Sequence, residues 1–196
     1  IGVAVSQIAG REPAPGSQRA RRGFGILVIA EHHVLAAKLD LAALAVASNR
    51  AVGRHDARFH PQRAAGRAES PLRGIERIRE RVKTLKVGDP VTNPSMGPVV
   101  NKSAYESMLS YIEIGKNEDG ATLATGGKRL TRGDYANGFF IEPTVFTDAT
   151  PDMRISQEEI FGPVTTVIPV NSLEDAIQVA NGVRYGLSAA IYTQNV

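Results

Sequence analysis

Two adjacent carboxylates and an aromatic ring stand directly before a stretch that predicts a buried strand. The acids are Glu158 and Glu159, and the ring is Phe161, which is followed by a rigid Gly-Pro pair. The β-branched run at 164–168 then predicts a strand enclosed by other parts of the protein. Charged and aromatic side chains at the mouth of a buried strand suit the edge of a ligand site better than a core. We therefore take 157–164 as the candidate functional segment.

The elements that must position this segment alternate between strands and helices. Strands are predicted at 122–125, 139–146 (interrupted by Pro143), 164–170 and 187–193. Between and before them, three helices are predicted to end at Gly88-Asp89-Pro90, Asp119-Gly120 and Asn181-Gly182. This alternation predicts an α/β fold with a partial, at least partly parallel sheet and flanking helices.

The spacing of apolar residues predicts which face of each helix is buried. These faces comprise Ile75, Ile78, Val82 and Leu85 in the first helix, Ala104, Met108, Tyr111, Ile112 and Gly115 in the second, and Ala176, Ile177, Val179 and Ala180 in the third. Either Asn101 or Ser103 is expected to cap the second helix, and Ser172 the third, because a short side-chain acceptor satisfies a free amide of the first turn.

The two parts of the chain differ in composition. Residues 1–73 contain no Thr, Tyr, Met, Trp or Cys, and 10 Arg and 1 Lys face 5 acids there, whereas 74–196 carries 12 basic and 15 acidic residues. We predict two units that meet near Gly74. For residues 1–73 two hypotheses stand: translation of GC-rich DNA in the wrong frame, or a basic, poorly ordered arm. Because the chain begins at Ile1 and not at Met, we also expect a fragment of a longer protein.

The first part still carries local signals. Residues 24–30 predict a short buried strand, and 31–48, rich in Ala and Leu, predict a helix. Residues 49–73 lack periodicity and predict loop or disorder.

Composition also limits the classes of function. The chain has no cysteine, which excludes thiolate nucleophiles and thiolate metal sites within it and fits a cytoplasmic protein. No apolar run is long enough to cross a membrane and no signal peptide is evident. The histidines His55 and His60 lack a companion ligand set, so no metal site is predicted. The arginines of the first part lack interleaved aromatics, so no specific nucleic-acid binding is predicted.

Several segments together resemble the aldehyde dehydrogenase superfamily, in the order in which that family has them. They are RVK at 81–83 with LKVGDP at 85–90, MGPVV at 96–100, GFFIEPTV at 138–145, MRI at 153–155 ahead of QEEIFGPV at 157–164, and AN at 180–181 with YGLSA at 185–189. The resemblance covers roughly 74–196 and corresponds to the C-terminal-side part of the family's catalytic domain.

The resemblance implies oxidation of a small-molecule aldehyde to a carboxylic acid with NAD or NADP. In the family a cysteine thiolate attacks the carbonyl, hydride passes to the nicotinamide, and water releases the acid. Glu159 matches the family glutamate that binds the ribose hydroxyls on the nicotinamide side, and Phe161 matches the aromatic packed near the nicotinamide ring. The alternative is that Glu159 is a solvated loop acid and Phe161 a core anchor.

The resemblance assigns no catalytic residue to this chain. The family's nucleophile would fall where residues 1–73 stand, and the general base has no counterpart here. We therefore expect that the chain alone does not oxidise aldehydes. The alternative is a non-catalytic remnant or an interaction module on an α/β scaffold. Unpaired edges of a partial sheet also predict self-association.

Overall fold

The computed structural model describes residues 2–6, 25–30, 71–170, 173–185 and 188–192. These residues form a six-stranded mixed sheet, a two-stranded sheet and helices packed beside them. The predicted α/β fold, with a partly parallel sheet and flanking helices, is confirmed.

The strands and helices have the following bounds. The strands are β1 (Gly2–Ser6), β2 (Gly25–Ala30), β3 (Thr122–Thr125), β4 (Arg129–Leu130), β5 (Phe140–Ile141), β6 (Thr144–Thr147), β7 (Val164–Val170) and β8 (Ser188–Tyr192). The helices are α1 (Pro71–Lys83), α2 (Lys102–Asn117), α3 (Arg154–Gln157) and α4 (Leu173–Asn181), with short 3-10 turns at Pro90–Thr92 and Gly133–Asn137.

The large sheet has the strand order β3-β6-β7-β2-β1-β8. The pairs β6–β7 and β1–β8 are parallel, and the other neighbours are antiparallel. The sheet thus combines strands from both sides of Gly74. The predicted strand at 24–30 is present as β2, whereas the five-residue β1 was not predicted, since so short a run carries little pattern.

Other expectations for the first part have mixed outcomes. The predicted helix at 31–48 and most of the predicted loop at 49–73 lie outside the described residues. Residues 71–73 were expected to be loop but begin α1. Pro71 suits the first position of the helix, because an amide hydrogen there would have no acceptor within the helix and proline has none.

Strand β7 lies at the centre of the described core. Its bounds agree with the predicted strand, and five consecutive residues from Val164 to Ile168 are buried, so both of its faces are covered. Helix α2 and residues around it form one cluster with Val164, Phe146 and Ile155. Ala176 of α4 packs in a second cluster with Ile168 and Val170.

Asn101, one of the two predicted caps, caps α2. Its side-chain oxygen accepts a hydrogen bond from the Ala104 amide at 2.9 Å. The helix ends at Asn117, just before the predicted stop. Helix α1 ends earlier than predicted, at Lys83, because its last turn tightens through hydrogen bonds from Thr84 and Leu85 to carbonyls three residues back.

Two further predictions need correction. Ile177 was placed on the buried face of α4 but is 43% exposed, because the face that meets the core is centred on Ala176. The predicted strand at 139–146 is two strands, β5 and β6, which belong to different sheets. Pro143 separates them, since it has no amide hydrogen for a continuous ladder.

No helix in the described parts of the chain has the length and apolar character to cross a membrane.

Candidate functional site

The candidate segment forms the connection between α3 and β7. It alternates buried and outward positions: Ile160 is 4% exposed and Gly162 is buried, whereas Phe161 between them is 62% exposed. Burial of its neighbours therefore anchors the segment while the ring of Phe161 projects outward. The alternative that Phe161 is a core anchor is wrong.

The backbone of Phe161 is strained. Its φ angle of 56° lies in the left-handed region, which bulky side chains rarely enter. Such a conformation costs about 1–2 kcal/mol relative to the ordinary one. Strain of this kind persists only where the surrounding structure imposes it, and it concentrates at functional sites. An exposed aromatic held in this conformation points to a ligand-facing role.

Gly162 and Pro163 fix the turn after Phe161. A Cβ atom added at Gly162 would lie 2.7 Å from Met108 Sδ, so a larger residue here would require the Met108 side chain to shift. The carbonyl oxygen of Pro163 accepts a hydrogen bond from the Thr144 amide at 2.7 Å, where β6 begins. The end of the loop is therefore attached to both α2 and the sheet.

Glu159 lies on the other side of Ile160 from Phe161. Its side chain is half-buried, which places it at the boundary between the protein and solvent. The alternative that Glu159 is a solvated loop acid stays open. A carboxylate at this boundary can be reached from the solvent side.

Glu158 is engaged by the protein itself. The Tyr111 hydroxyl donates to Glu158 Oε2 at 2.6 Å, and Arg154 Nε donates to Oε1 at 3.1 Å. The hydrogen bond from Arg154, followed by that from Tyr111, lowers the pKa of Glu158 below its ordinary value. Glu158 in turn raises the pKa of Arg154. Of the two acids, Glu158 is therefore held by the side chains of Tyr111 and Arg154.

Asp119 holds the start of α3. Its carboxylate oxygens accept hydrogen bonds from the Arg154 amide at 3.2 Å and the Ile155 amide at 3.0 Å. A negative group is favoured at this end of a helix, where backbone amides lack partners within the helix. The four-residue helix that leads into the loop is thus fixed from a position far away in the chain.

The supporting residues were not identified as such from the sequence. Tyr111 was expected only to face the core, and Asp119 only to end a helix. Their partners lie 47 and 35–36 residues away in the chain, so local spacing carries no signal for these contacts. The pair Arg154 and Glu158 is different, because a separation of four residues is the spacing at which side chains meet along a helix.

Metal binding receives no support from this region. Among the residues that the structure describes, no group of three or more His, Cys, Asp or Glu could hold a metal ion. The four histidines lie outside them.

Comparison with known proteins identifies the family. Residues 71–196 match the sequence model of the aldehyde dehydrogenase family, which is more than half of the chain. The chain belongs to the aldehyde dehydrogenase family. The match begins three residues before the boundary that we predicted at Gly74.

Individual relatives agree with this assignment. The α-ketoglutaric semialdehyde dehydrogenase of Bacillus subtilis is 45% identical over 122 residues, 62% of this chain and 25% of the relative. The structure of a Thermus 1-pyrroline-5-carboxylate dehydrogenase with bound NAD is 48% identical, with a TM-score of 0.58, over 62% of this chain and 22% of that one.

A betaine aldehyde dehydrogenase from Staphylococcus aureus, in complex with NAD+, is 41% identical with a TM-score of 0.60. That match covers 63% of this chain and 25% of the other. The chain thus spans about a quarter of the length of the relatives that it matches.

Proposed function

We propose that this chain supplies the nicotinamide-side edge of the cofactor site in an aldehyde dehydrogenase that uses NAD or NADP. In this proposal the Glu159 carboxylate accepts hydrogen bonds from the ribose hydroxyls, and the Phe161 ring packs near the nicotinamide. The observation that carries the proposal is the 62% exposed ring of Phe161 on a strained backbone, beside a half-buried carboxylate within a family motif.

The residues of the loop fit such a cofactor. A carboxylate accepts from two neighbouring hydroxyls at once, through charge-assisted hydrogen bonds. An exposed aromatic face offers apolar contact to a planar ring. The NAD-containing structures of related dehydrogenases support the same choice of cofactor.

The bound cofactor would accept hydride from an aldehyde-derived centre. The part of this chain is to bind and to orient: Glu159 fixes the ribose, Phe161 limits the motion of the ring, and the Gly162-Pro163 turn holds both in place. Correct placement of reacting groups is a large part of enzymatic rate enhancement. Which aldehyde is oxidised depends on parts of a whole dehydrogenase beyond this loop.

Cofactor binding is the direct test. We expect calorimetric titration of the purified chain with NAD+ to show binding in the millimolar range or tighter. Loss of the charged acceptor in Glu159→Gln is expected to weaken it by about tenfold or more. As a control, Glu80→Gln removes an exposed carboxylate of α1 and is expected to leave binding unchanged. Absence of binding by a folded chain would contradict the proposal and favour a non-catalytic remnant or interaction module.

Activity of the isolated chain is a separate question. Because the chain contains no cysteine, we propose that it does not oxidise aldehydes by itself. NADH fluorescence measured with the purified chain, NAD+ and an aldehyde is expected to stay at background. NADH production that disappears in Glu159→Gln would overturn this expectation.

A further inference from the structure

The loop that carries Glu159 and Phe161 begins at a cluster of three side chains from different parts of the chain. Tyr111 comes from α2, Arg154 from the start of α3, and Glu158 from the residue directly after α3. We propose that Tyr111 and Arg154, acting through Glu158, are positioning residues that hold the loop in the orientation from which Glu159 and Phe161 meet the cofactor. This inference rests on the proposed function.

The cluster is a network of charge-assisted hydrogen bonds that meet at the Glu158 carboxylate. The 2.6 Å distance from the Tyr111 hydroxyl to Glu158 Oε2 is typical of a hydroxyl donating to an ionised carboxylate. Arg154 donates through Nε to Oε1 at 3.1 Å and through Nη2 to Oε2 at 3.2 Å, as a planar fork. The Arg154 guanidinium also lies 5.8 Å from the centre of the Tyr111 ring, within the range of a cation–π contact.

The cluster connects the loop to a rigid part of the core. Tyr111 lies on α2 between Met108 and Ile112, which are 4% and 0% exposed. These buried neighbours fix the direction of the tyrosine. The Glu158 carboxylate accepts the hydrogen bond from the Tyr111 hydroxyl, and Glu158 is joined to Glu159 by a peptide bond. Because α2 is packed in the core, a rotation of the loop would break the hydrogen bond between Tyr111 and Glu158.

The far end of the loop is held separately, through Gly162 against Met108 and through the Pro163 carbonyl on β6. The cluster thus supplies the attachment at the near end, next to Glu159. Release of the near end alone is expected to affect orientation more than folding. The side chains of Arg154 and Glu158 are 48% and 34% exposed. Ion pairs with this exposure add little to global stability, so their loss is expected to leave the chain folded.

The chain offers a matched control for this test. Tyr111→Phe removes the hydroxyl that binds Glu158. Tyr135→Phe removes a hydroxyl that donates to the Val87 carbonyl at 3.0 Å, away from the loop. Both variants lose one half-buried hydrogen bond and no ring volume. Both variants are expected to remain folded, as measured by urea unfolding.

The test combines two readouts on the full chain. Hydrogen exchange of the peptide containing 158–163 reports local opening of the loop. Calorimetric titration with NAD+ reports its effect on binding. For Tyr111→Phe we expect exchange in the loop to accelerate and the Kd for NAD+ to rise, each by roughly tenfold. For Tyr135→Phe we expect wild-type values of both.

The conservative variant Glu158→Gln completes the series. It keeps an acceptor for Tyr111 but loses the charge that Arg154 binds, so intermediate values of exchange and Kd are expected. Loop exchange in Tyr111→Phe that does not exceed that in Tyr135→Phe would overturn the inference. If the wild-type chain binds no NAD+, the proposed function fails by itself, and the exchange comparison still decides whether the cluster holds the loop.

Discussion

At Phe161 the backbone conformation and the type of side chain do not match. Glycine is the residue best suited to a positive φ angle. The chain instead has Phe161 at this position, and its side chain is 62% exposed. Neither backbone preference nor burial accounts for a phenylalanine at this position. We propose that its ring contacts the nicotinamide.

Two substitutions separate strain from contact at this position. Phe161→Gly removes the ring and relieves the backbone, whereas Phe161→Ala removes the ring and keeps the strain. We expect the Gly variant to be more stable than the Ala variant by about 1 kcal/mol in urea unfolding. Both are expected to bind NAD+ more weakly than wild type. Equal stability of the two variants would show that φ at this position is not strained.

The lowered pKa of Glu158 predicts how the stability of the chain depends on pH. Its pKa in the folded chain is lowered from the ordinary value of 4.5, first by the hydrogen bond from Arg154 and then by that from Tyr111, with Arg184 contributing as a nearby charge. A lowered folded-state pKa means a contribution to stability that is present above 4.5 and lost as the pH falls through the folded value.

We therefore expect the stability difference between wild type and Glu158→Gln to be constant near neutral pH. It is expected to shrink as the pH falls below about 4.5, because the wild-type carboxylate becomes protonated and loses its charge. Urea unfolding across this range measures the difference, in which the titration of other acids largely cancels. A difference that grows on acidification would contradict the assigned direction of the shift.

At the scale of elements, helix α2 carries the support for the loop. Gly115 allows α2 to lie close to the core, since an added Cβ would meet Phe146 Cζ at 2.9 Å and Ile155 Cδ1 at 3.1 Å. The same helix presents Met108 to Gly162 and Tyr111 to Glu158. The orientation of the candidate site thus depends on how α2 begins and where it packs.

The two caps that the sequence left open for α2 can be told apart by substitution. The Asn101 side chain accepts from the Ala104 amide, whereas Ser103 lies exposed in the first turn. We expect Asn101→Ala to lower the free energy of unfolding by about 1 kcal/mol. Ser103→Ala is expected to change it by much less. Thermal unfolding by circular dichroism measures both, and the reverse order would contradict the observed cap.

Sequence patterns predicted those elements whose signals are local. The β-branched run at 164–170 was placed with the bounds of β7, and the short side chain of Asn101 was among the predicted caps. Contacts between distant segments were not predicted, as with Tyr111 and Glu158, because no spacing rule links them. The division of 139–146 between two sheets was missed for the same reason, since it depends on which partners lie beside Phe140 and Thr144.

At the scale of the whole molecule, the large sheet ends in two outer strands. Among the described strands, β3 and β8 are outermost in the order of the sheet. An outer strand presents backbone donors and acceptors to any other strand that approaches. The chain also spans about a quarter of the length of the relatives that it matches.

We therefore predict concentration-dependent self-association through these edges. A lysine on an edge strand opposes pairing, so Thr122→Lys, at an exposed position of β3, is expected to reduce association. Thr131→Lys adds the same charge at an exposed position outside the large sheet and serves as the control. Light scattering over a concentration series measures the mass. A constant monomer mass for wild type would contradict the prediction.

The parallel pairing of β6 with β7 has a consequence for the order of folding. Thr144 lies opposite Val164, and the chain between these strands includes α3 and the loop with Glu159 and Phe161. This pairing costs less chain entropy than the pairing of β7 with β2, whose residues lie much farther apart in the chain, and we expect it to form before that one. The candidate site would then be shaped in the folding transition state, so that substitutions in the loop slow refolding more than they accelerate unfolding.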